Sequence, residues 1–260
     1  MKYHFFLGGK DLEMNEVRLA LVAASIAFSD KALGWGAHAS AYSAEIANVA
    51  ARGETPVLVE LDNASHAATQ WDAAKEPVAM PAGTIEVDHH GARAGEPASV
   101  LQVLTLIGAT PTRWHKLVAA DDGNGGPVGL VAFGATPEEF AAVRAAGRAV
   151  QGITPEQEAE ADRAVAGAEK FGKLVVVRCT HSKCGPITDR LFPNWQDGKE
   201  NVLVIASDGE MDYFGDAHVR NALEQKFGGW KGGDPAGNGF WGANGIDQSE
   251  VLALVKSLAA

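Results

Sequence analysis

Short apolar runs that end in acidic residues recur through the first half of the sequence, and this feature constrains the fold most. Four such runs have the length of buried strands: residues 3–7, 56–61, 83–87 and 117–120. Stretches of helical character lie between or after them: residues 15–27, 41–51 and 98–107. Strands that alternate with helices are the sequence form of βαβ units. The first half is therefore predicted to be an α/β domain with a parallel sheet.

Two capping-box patterns follow this region. Thr136 and Thr154 each precede a proline and are followed three residues later by Glu139 and Gln157, the arrangement that caps a helix N-terminus. The second helix is strongly charged and is predicted to be a connector. After Gly172 the sequence contains apolar runs rich in valine, and residues 173–178 and 201–206 are predicted to be strands. We predict three parts: a metal-binding α/β domain at 1–150, a connecting helix at 151–171, and a second, smaller α/β domain at 172–260.

Composition limits the classes of function. The chain has 260 residues and a net charge of −11, which disfavours a long nucleic-acid surface because phosphate binding rests on clustered Lys and Arg. No apolar stretch approaches the ~20 residues that cross a bilayer. Two cysteines are too few for a disulfide framework. We expect a cytoplasmic protein with no membrane partner, and the sequence is compatible with a homo-oligomer.

The acidic ends of the runs predict a metal site. Asp88, His89 and His90 follow one run directly, and the other runs lead to four further acidic positions. These are Asp11, Glu13, Asp62 and one of the adjacent pair Asp121 and Asp122. Because ligands collect at the carboxyl ends of parallel strands, these side chains can meet although they are distant in sequence. Carboxylates with imidazoles suit a hard or borderline divalent cation.

Two other features leave alternatives open. Glycines and aromatics crowd residues 227–242, which suits either close approach of the backbone to an anion or a long surface loop. The pair Gly8-Gly9 follows the first run but does not form the GxGxxG pattern of dinucleotide-binding folds. A dinucleotide-dependent enzyme therefore ranks well below a metal-dependent one.

These motifs together resemble the DHH phosphoesterase superfamily. Residues 87–91 (Val-Asp-His-His-Gly), followed by the apolar stretch 98–104, are similar to the triplet that names the family and the helix behind it. Asp11-Leu12-Glu13 lies where the family has Asp-x-Asp. Asp62 and Asp122 match single aspartates of the family. Residues 231–240 are similar to the glycine-rich signature of its accessory DHHA1 domain.

The resemblance implies a fold, an activity and a role for each residue. The fold would be a parallel-sheet DHH domain, a connecting helix and a DHHA1-like domain that closes over the cleft. The activity would be hydrolysis of a phosphoanhydride or phosphodiester with two Mn²⁺ or Mg²⁺ ions. Asp62 would bridge the ions, His90 would face the substrate phosphate and Asp88 would orient neighbouring groups. The remaining metal ligands would be Asp11, Glu13, His89 and Asp122, and the substrate-binding residues would be Lys231, Gly232, Gly233 and Asp234.

The implied substrates are small phosphorylated molecules: pyrophosphate, a nucleotide or a short oligonucleotide. Three departures from the family pattern favour a second hypothesis. Leu7 stands where many members have a histidine, Glu13 replaces an aspartate, and Asp234 replaces a histidine. The second hypothesis is a non-catalytic nucleotide-binding or regulatory module with a decayed metal site.

Overall fold

The computed structural model describes residues 2–65, 74–123, 126–233 and 239–259. The chain divides into two compact units, Met1–Gln151 and Gly152–Ala260. The predicted α/β class, with a parallel sheet in the first unit and a second, smaller α/β unit, is confirmed. Among the described residues, no helix has both the length and the apolar character that a membrane crossing requires.

Unit 1 is built on a four-stranded parallel sheet with the strand order β2-β1-β3-β4. The strands are β1 (Tyr3–Gly9), β2 (Ala27–Leu33), β3 (Thr55–Val59) and β4 (Ile85–Val87). Phe5 and Leu7 pack into the core on one face of the sheet, and Phe6 packs into the core on the other. Burial on both faces explains why these strands appear in the sequence as continuous apolar runs.

The described part of unit 1 has six α-helices, of which the first three along the chain pack on the sheet and the last three pack on other helices. They are α1 (Leu12–Ala23), α2 (Ser43–Ala51), α3 (Ser99–Leu106), α4 (Arg113–Gly123), α5 (Pro127–Phe133) and α6 (Pro137–Val150). Residues of α1 and α3 pack into the core on one face, and residues of α2 pack into the core on the other. The Thr136 side chain and the Glu139 carboxylate make both hydrogen bonds of the predicted capping box at the start of α6. The carboxyl edge of the sheet thus receives the loops that lead into α1 and α3.

Two predictions for this unit were wrong. Residues 117–120 belong to α4 rather than to a strand, since a run of four apolar residues is too short to distinguish the two. Their burial comes from packing among helices, and the preceding residues Arg113–Lys116 supply the first helical turn. The predicted helix 15–27 ends earlier, at Ala23; Ser25 has a positive φ and the polar edge strand β2 begins at Ala27.

Unit 2 contains a mixed six-stranded sheet with the order β5-β6-β7-β8-β10-β9, in which only β6 and β7 are parallel. Its strands are β5 (Glu169–Phe171), β6 (Leu174–Cys179), β7 (Asn201–Ala206), β8 (Glu210–Gly215), β9 (Trp230–Gly233) and β10 (Gly239–Asn244). Its helices are α7 (Pro155–Ala166), α8 (Gly185–Leu191), α9 (Ala217–Phe227) and α10 (Gln248–Ala259). The two strands predicted at 173–178 and 201–206 are β6 and β7.

Helix α7 starts at the second predicted capping box, where the Thr154 and Gln157 side chains make both expected hydrogen bonds. Its Ala161 is buried in a core that includes Val175 of β6 and Ile187 of α8. The helix predicted to be a connector therefore packs on the sheet of unit 2 and belongs to that unit.

Candidate metal centre

Glu13 lies in the first turn of α1 and is 1% exposed. Its Oε1 accepts a hydrogen bond of 3.1 Å from the backbone N–H of Val100, in the first turn of α3. The N-terminal turns of two helices therefore surround one carboxylate, and the partial positive charge of such turns favours an anion. Burial acts in the opposite direction and raises the pKa of Glu13 well above its ordinary value. A buried carboxylate of this kind needs a cation or a proton nearby.

Glu60 directly follows β3 and has a left-handed backbone conformation, with φ 50°. Non-glycine residues rarely adopt this conformation, and such residues concentrate at functional sites. The backbone N–H of Glu60 donates a 2.9 Å hydrogen bond to the carbonyl of Val87, at the end of β4. A Cβ atom on Gly8 would lie only 2.3 Å from the Glu60 carbonyl oxygen. Glycine at position 8 is therefore a steric requirement for the position of Glu60.

The Asp-His-His triplet follows β4 and divides into an inward and an outward histidine. The Gln102 side chain of α3 donates a 2.8 Å hydrogen bond to the Asp88 carbonyl and so anchors the triplet. His89 is buried, whereas His90 is exposed. The Asp88 carboxylate accepts from the His90 backbone N–H at 2.8 Å, and its Oδ1 lies 3.0 Å from His90 Nδ1. Asp88 thus holds the imidazole of His90 at the surface.

Asp122 lies in the last turn of α4. The preceding residue, Asp121, forms an ion pair with Arg144 of α6, with Nη1 to carboxylate distances of 3.0 and 3.1 Å. This ion pair ties the end of α4 to α6 and leaves the next carboxylate, that of Asp122, to face His89. The alternatives left open by the sequence are thereby separated, since Asp122 contacts the triplet and Asp121 binds an arginine.

Four side chains from four different segments converge on one point. His89 Nε2 lies 3.2 Å from Glu13 Oε2, 3.2 Å from Glu60 Oε1 and 2.9 Å from Asp122 Oδ2. One N–H group cannot donate well to three acceptors, and its hydrogen bond goes to Glu13. Within the described parts of the chain, Glu60 Oε1 and Asp122 Oδ2 are buried without a hydrogen-bond partner. Buried carboxylate oxygens without donors are groups that a bound cation would stabilise.

The donor set fits a divalent metal ion. One ligand atom from each of Glu13, Glu60, His89 and Asp122 lies within 4.8 Å of the others, and Glu60 and His89 form a second such group with His90. Three carboxylates and an imidazole are the ligands that Mn²⁺ accepts readily and Mg²⁺ accepts in part. The surrounding carboxylates, that of Asp122 foremost, raise the pKa of His89 to about 12, so an ion that enters here displaces a proton from this imidazole.

Several solved structures are similar to this chain. The chain is similar to a solved DHH domain. That domain belongs to a member of the s1p family of ribosomal proteins; the likeness has a TM-score of 0.47 and 12% identity and covers 100% of this chain and 88% of that one. A pGpG-specific phosphodiesterase, PggH from Vibrio, matches with a TM-score of 0.49 and 13% identity over 98% of both chains.

A third similar structure is RecJ from Thermus thermophilus in complex with Mn²⁺, with a TM-score of 0.44 and 12% identity. The match covers 98% of this chain and 52% of RecJ, so the chain spans about half the length of that protein. The sequence matches no protein-family model and no curated protein.

The predicted metal ligands fall into two sets. Glu13, His89 and Asp122 lie in the four-residue cluster. Asp11 and Asp62 belong to neither of the two candidate groups found among the described residues. Asp11 caps α1 by accepting from Met14 N–H at 2.8 Å; burial, with the charges of Glu60 and Asp122, raises its pKa to about 7.

Asp62 forms hydrogen bonds with the backbone of neighbouring segments. Its Oδ1 accepts a 2.8 Å hydrogen bond from Ala64 N–H, and its main chain pairs with Ala37 and Ala39. The fourth member of the cluster is instead Glu60, which the sequence analysis did not select. Glu60 lies inside the run 56–61 that was predicted as a strand, but β3 ends at Val59, so Glu60 is the first residue after the strand.

The predicted substrate-binding residues lie in unit 2. Lys231, Gly232 and Gly233 are on β9, and the ammonium of Lys231 pairs with Glu224 of α9. The carbonyl of Gly232 accepts a 3.1 Å hydrogen bond from the buried guanidinium of Arg220. Asp234 lies outside the described residues.

The close contact between Gly8 and Glu60 allows the role of Glu60 as a metal ligand to be tested. The Gly8→Ala variant is expected to lower Mn²⁺ affinity by at least about ten-fold, because the new methyl group must displace the Glu60 backbone. Calorimetric titration with Mn²⁺ measures the affinity, and a thermal melt monitors folding. Gly95→Ala is the matched control, since a Cβ there has no atom within 4 Å. A folded Gly8→Ala protein with native affinity would contradict the assignment of Glu60.

Proposed function

We propose that this chain is a metal-dependent phosphoesterase that hydrolyses a phosphoanhydride or phosphodiester bond in a small phosphorylated substrate. The observation that carries the proposal is the convergence of three carboxylates on His89 Nε2, with two buried carboxylate oxygens that lack donors among the described residues. A cluster of this composition and burial is costly to fold without a cation, so a function that uses the cation accounts for it.

One divalent ion would be held by Glu13, Glu60, His89 and Asp122. A second would be held by Glu60, with further ligands from the acids predicted from the sequence, Asp11 and Asp62. The ions would be Mn²⁺ or Mg²⁺. When bound, such a pair lowers the pKa of a water molecule and neutralises charge on the phosphoryl oxygens.

Other residues of the chain would bind the substrate and support the metal ligands. His90, held by Asp88 at 3.0 Å, would donate a hydrogen bond to the substrate phosphate. The helix N-termini that face Glu13 favour its charged form and so oppose the effect of burial. For unit 2, the substrate-binding role that the family resemblance implies for Lys231, Gly232, Gly233 and Asp234 stays a prediction.

The experiment measures metal content and turnover together. The native chain and Asp122→Asn are assayed for bound Mn²⁺ and for hydrolysis of pyrophosphate and of a 5′-phosphorylated dinucleotide, with and without chelator. Asp197→Asn, at an exposed site in unit 2, is the control. We expect metal-dependent turnover in the native chain and the control, and a loss of about 100-fold or more in Asp122→Asn.

Each other outcome has a defined meaning. Binding of metal and nucleotide without turnover would replace the proposal by the second hypothesis, a nucleotide-binding or regulatory module. A folded native chain that binds no Mn²⁺ would overturn the phosphoesterase proposal. If that chain bound nucleotide, the second hypothesis would replace the proposal, and if it bound neither, both would be overturned.

A further inference from the structure

Trp35 is the most exposed large hydrophobic residue in the described part of the chain, at 76% of its surface. Gly34 and Gly36 flank it, and Gly36 has a left-handed conformation with φ 72°. Single exposed hydrophobic residues are common on protein surfaces, so exposure alone indicates nothing. What distinguishes Trp35 is its place on the sheet.

The segment that carries Trp35 crosses the carboxyl edge of the parallel sheet. It leaves β2 at Leu33, whose carbonyl accepts a 2.8 Å hydrogen bond from Lys10 N–H, just after β1. It then reaches Asp62, just after β3: Asp62 N–H donates to Ala37 O at 3.1 Å, and Ala39 N–H donates to Asp62 O at 2.8 Å. In the strand order β2-β1-β3, this path passes over the end of β1.

The indole of Trp35 lies against the turn that leads from β1 into the metal centre. A Cβ atom on Gly9 would lie 3.3 Å from both Cα and Cδ1 of Trp35. Gly8, the residue before, contacts the Glu60 backbone in the same way. Adjacent residues of one strand end thus touch a proposed metal ligand and an exposed tryptophan.

An exposed cation lies at the same turn. Lys10 follows Gly9 and forms no ion pair with any residue that the structure describes. In a chain with a net charge of −11, an exposed lysine at the same turn as an open aromatic ring is suited to a ligand with both a phosphate and a flat ring. A nucleotide has both, whereas inorganic pyrophosphate has no surface for the indole.

We propose that Trp35 stacks on a nucleobase, so that the substrate of this centre is a nucleotide or short oligonucleotide and not an inorganic phosphoanhydride. The inference rests on the phosphoesterase function proposed above and adds the class of substrate. Stacking on tryptophan is tolerant of base identity, because every base presents a π face. Trp35 would therefore raise affinity for nucleotides in general and leave base preference to other residues.

The test compares substrates with and without bases. The native chain, Trp35→Ala, Trp35→Phe and the control Phe133→Ala are assayed in Mn²⁺ on a 5′-phosphorylated deoxydinucleotide and on its base-free analogue, in which an abasic tetrahydrofuran unit replaces each nucleoside. Phe133 is an aromatic residue of α5 that is 40% exposed. We expect Trp35→Ala to lower kcat/KM on the dinucleotide by about ten-fold or more, chiefly through KM.

The other variants are expected to separate stacking from general damage. Trp35→Phe should stay within about three-fold of the native value because a phenyl ring also stacks. The base-free analogue should be hydrolysed equally by the native chain and Trp35→Ala, and Phe133→Ala should match the native chain on both substrates. Equal losses of Trp35→Ala on both substrates, or no loss on either, would overturn the inference.

Failure of the proposed function gives a different result. If the native chain hydrolyses neither substrate, equilibrium binding of the dinucleotide in Mn²⁺ decides the role of Trp35. Binding that is about ten-fold weaker in Trp35→Ala upholds stacking in a protein without phosphoesterase activity. Equal binding by the two proteins, or no binding by the native chain, overturns it.

Discussion

Glu60→Gln is expected to lower Mn²⁺ affinity by about 100-fold or more and to abolish metal-dependent hydrolysis, whereas Asp62→Asn is expected to keep most of the affinity. The Glu60 carboxylate faces His89 Nε2 at 3.2 Å with a buried oxygen, and a neutral amide there is a much weaker ligand. Asp62 uses its Oδ1 to accept from Ala64 N–H, and an asparagine can keep that hydrogen bond.

Calorimetric titration with Mn²⁺ and a phosphodiester assay on both variants measure this contrast. Glu86→Gln is the control for the loss of one glutamate charge, since Glu86 is an exposed residue of β4 that pairs with Arg93. If Asp62→Asn lost the ion and Glu60→Gln kept it, the bridging aspartate implied by the family resemblance would be the main ligand, and Glu60 would be only a buried carboxylate.

Glu13→Gln is expected to stabilise the metal-free protein while removing its response to metal. Three carboxylates share one imidazole in this buried cluster, and a neutral side chain at position 13 relieves their repulsion. Gln can still accept from Val100 N–H, as Glu13 does at 3.1 Å. We expect a gain on the order of 1 kcal/mol in the free energy of unfolding without metal.

Thermal melts with and without Mn²⁺ check this prediction. For the native chain, Mn²⁺ at about 100 times its Kd should add about 2.7 kcal/mol to the free energy of unfolding, because the ion binds only the folded state. Glu13→Gln should melt above the native chain without metal and show little further gain with it. A lower melting temperature without metal would mean that the Glu13 carboxylate is needed for folding itself.

The fold class could be predicted from the sequence because its signals are local. The apolar runs of β1, β3 and β4 and the capping boxes before α6 and α7 depend on neighbouring residues only. The edge strand β2 was not predicted because its sequence is polar and it gains its stability from pairing with β1. The run at 117–120 was wrongly predicted to be a strand because buried helices and buried strands both contain apolar residues.

The metal centre could be predicted only in part, since proximity in space depends on backbone geometry. Asp122 joins the cluster although it ends a helix and not the expected strand. Glu60 and Asp62 both follow β3, and the sequence favours neither on chemical grounds. The left-handed conformation of Glu60 turns its side chain toward His89, and no sequence pattern at this position indicates that conformation.

The close approach of Gly8 to the Glu60 carbonyl also bears on how this protein can change over evolutionary time. A side chain at position 8 cannot be accommodated while the backbone at position 60 keeps its conformation, so a mutation at either position alters which mutations the other tolerates. Among diverged relatives, we expect these two positions to vary together, and a relative with a larger residue at position 8 to hold its cation through a different residue.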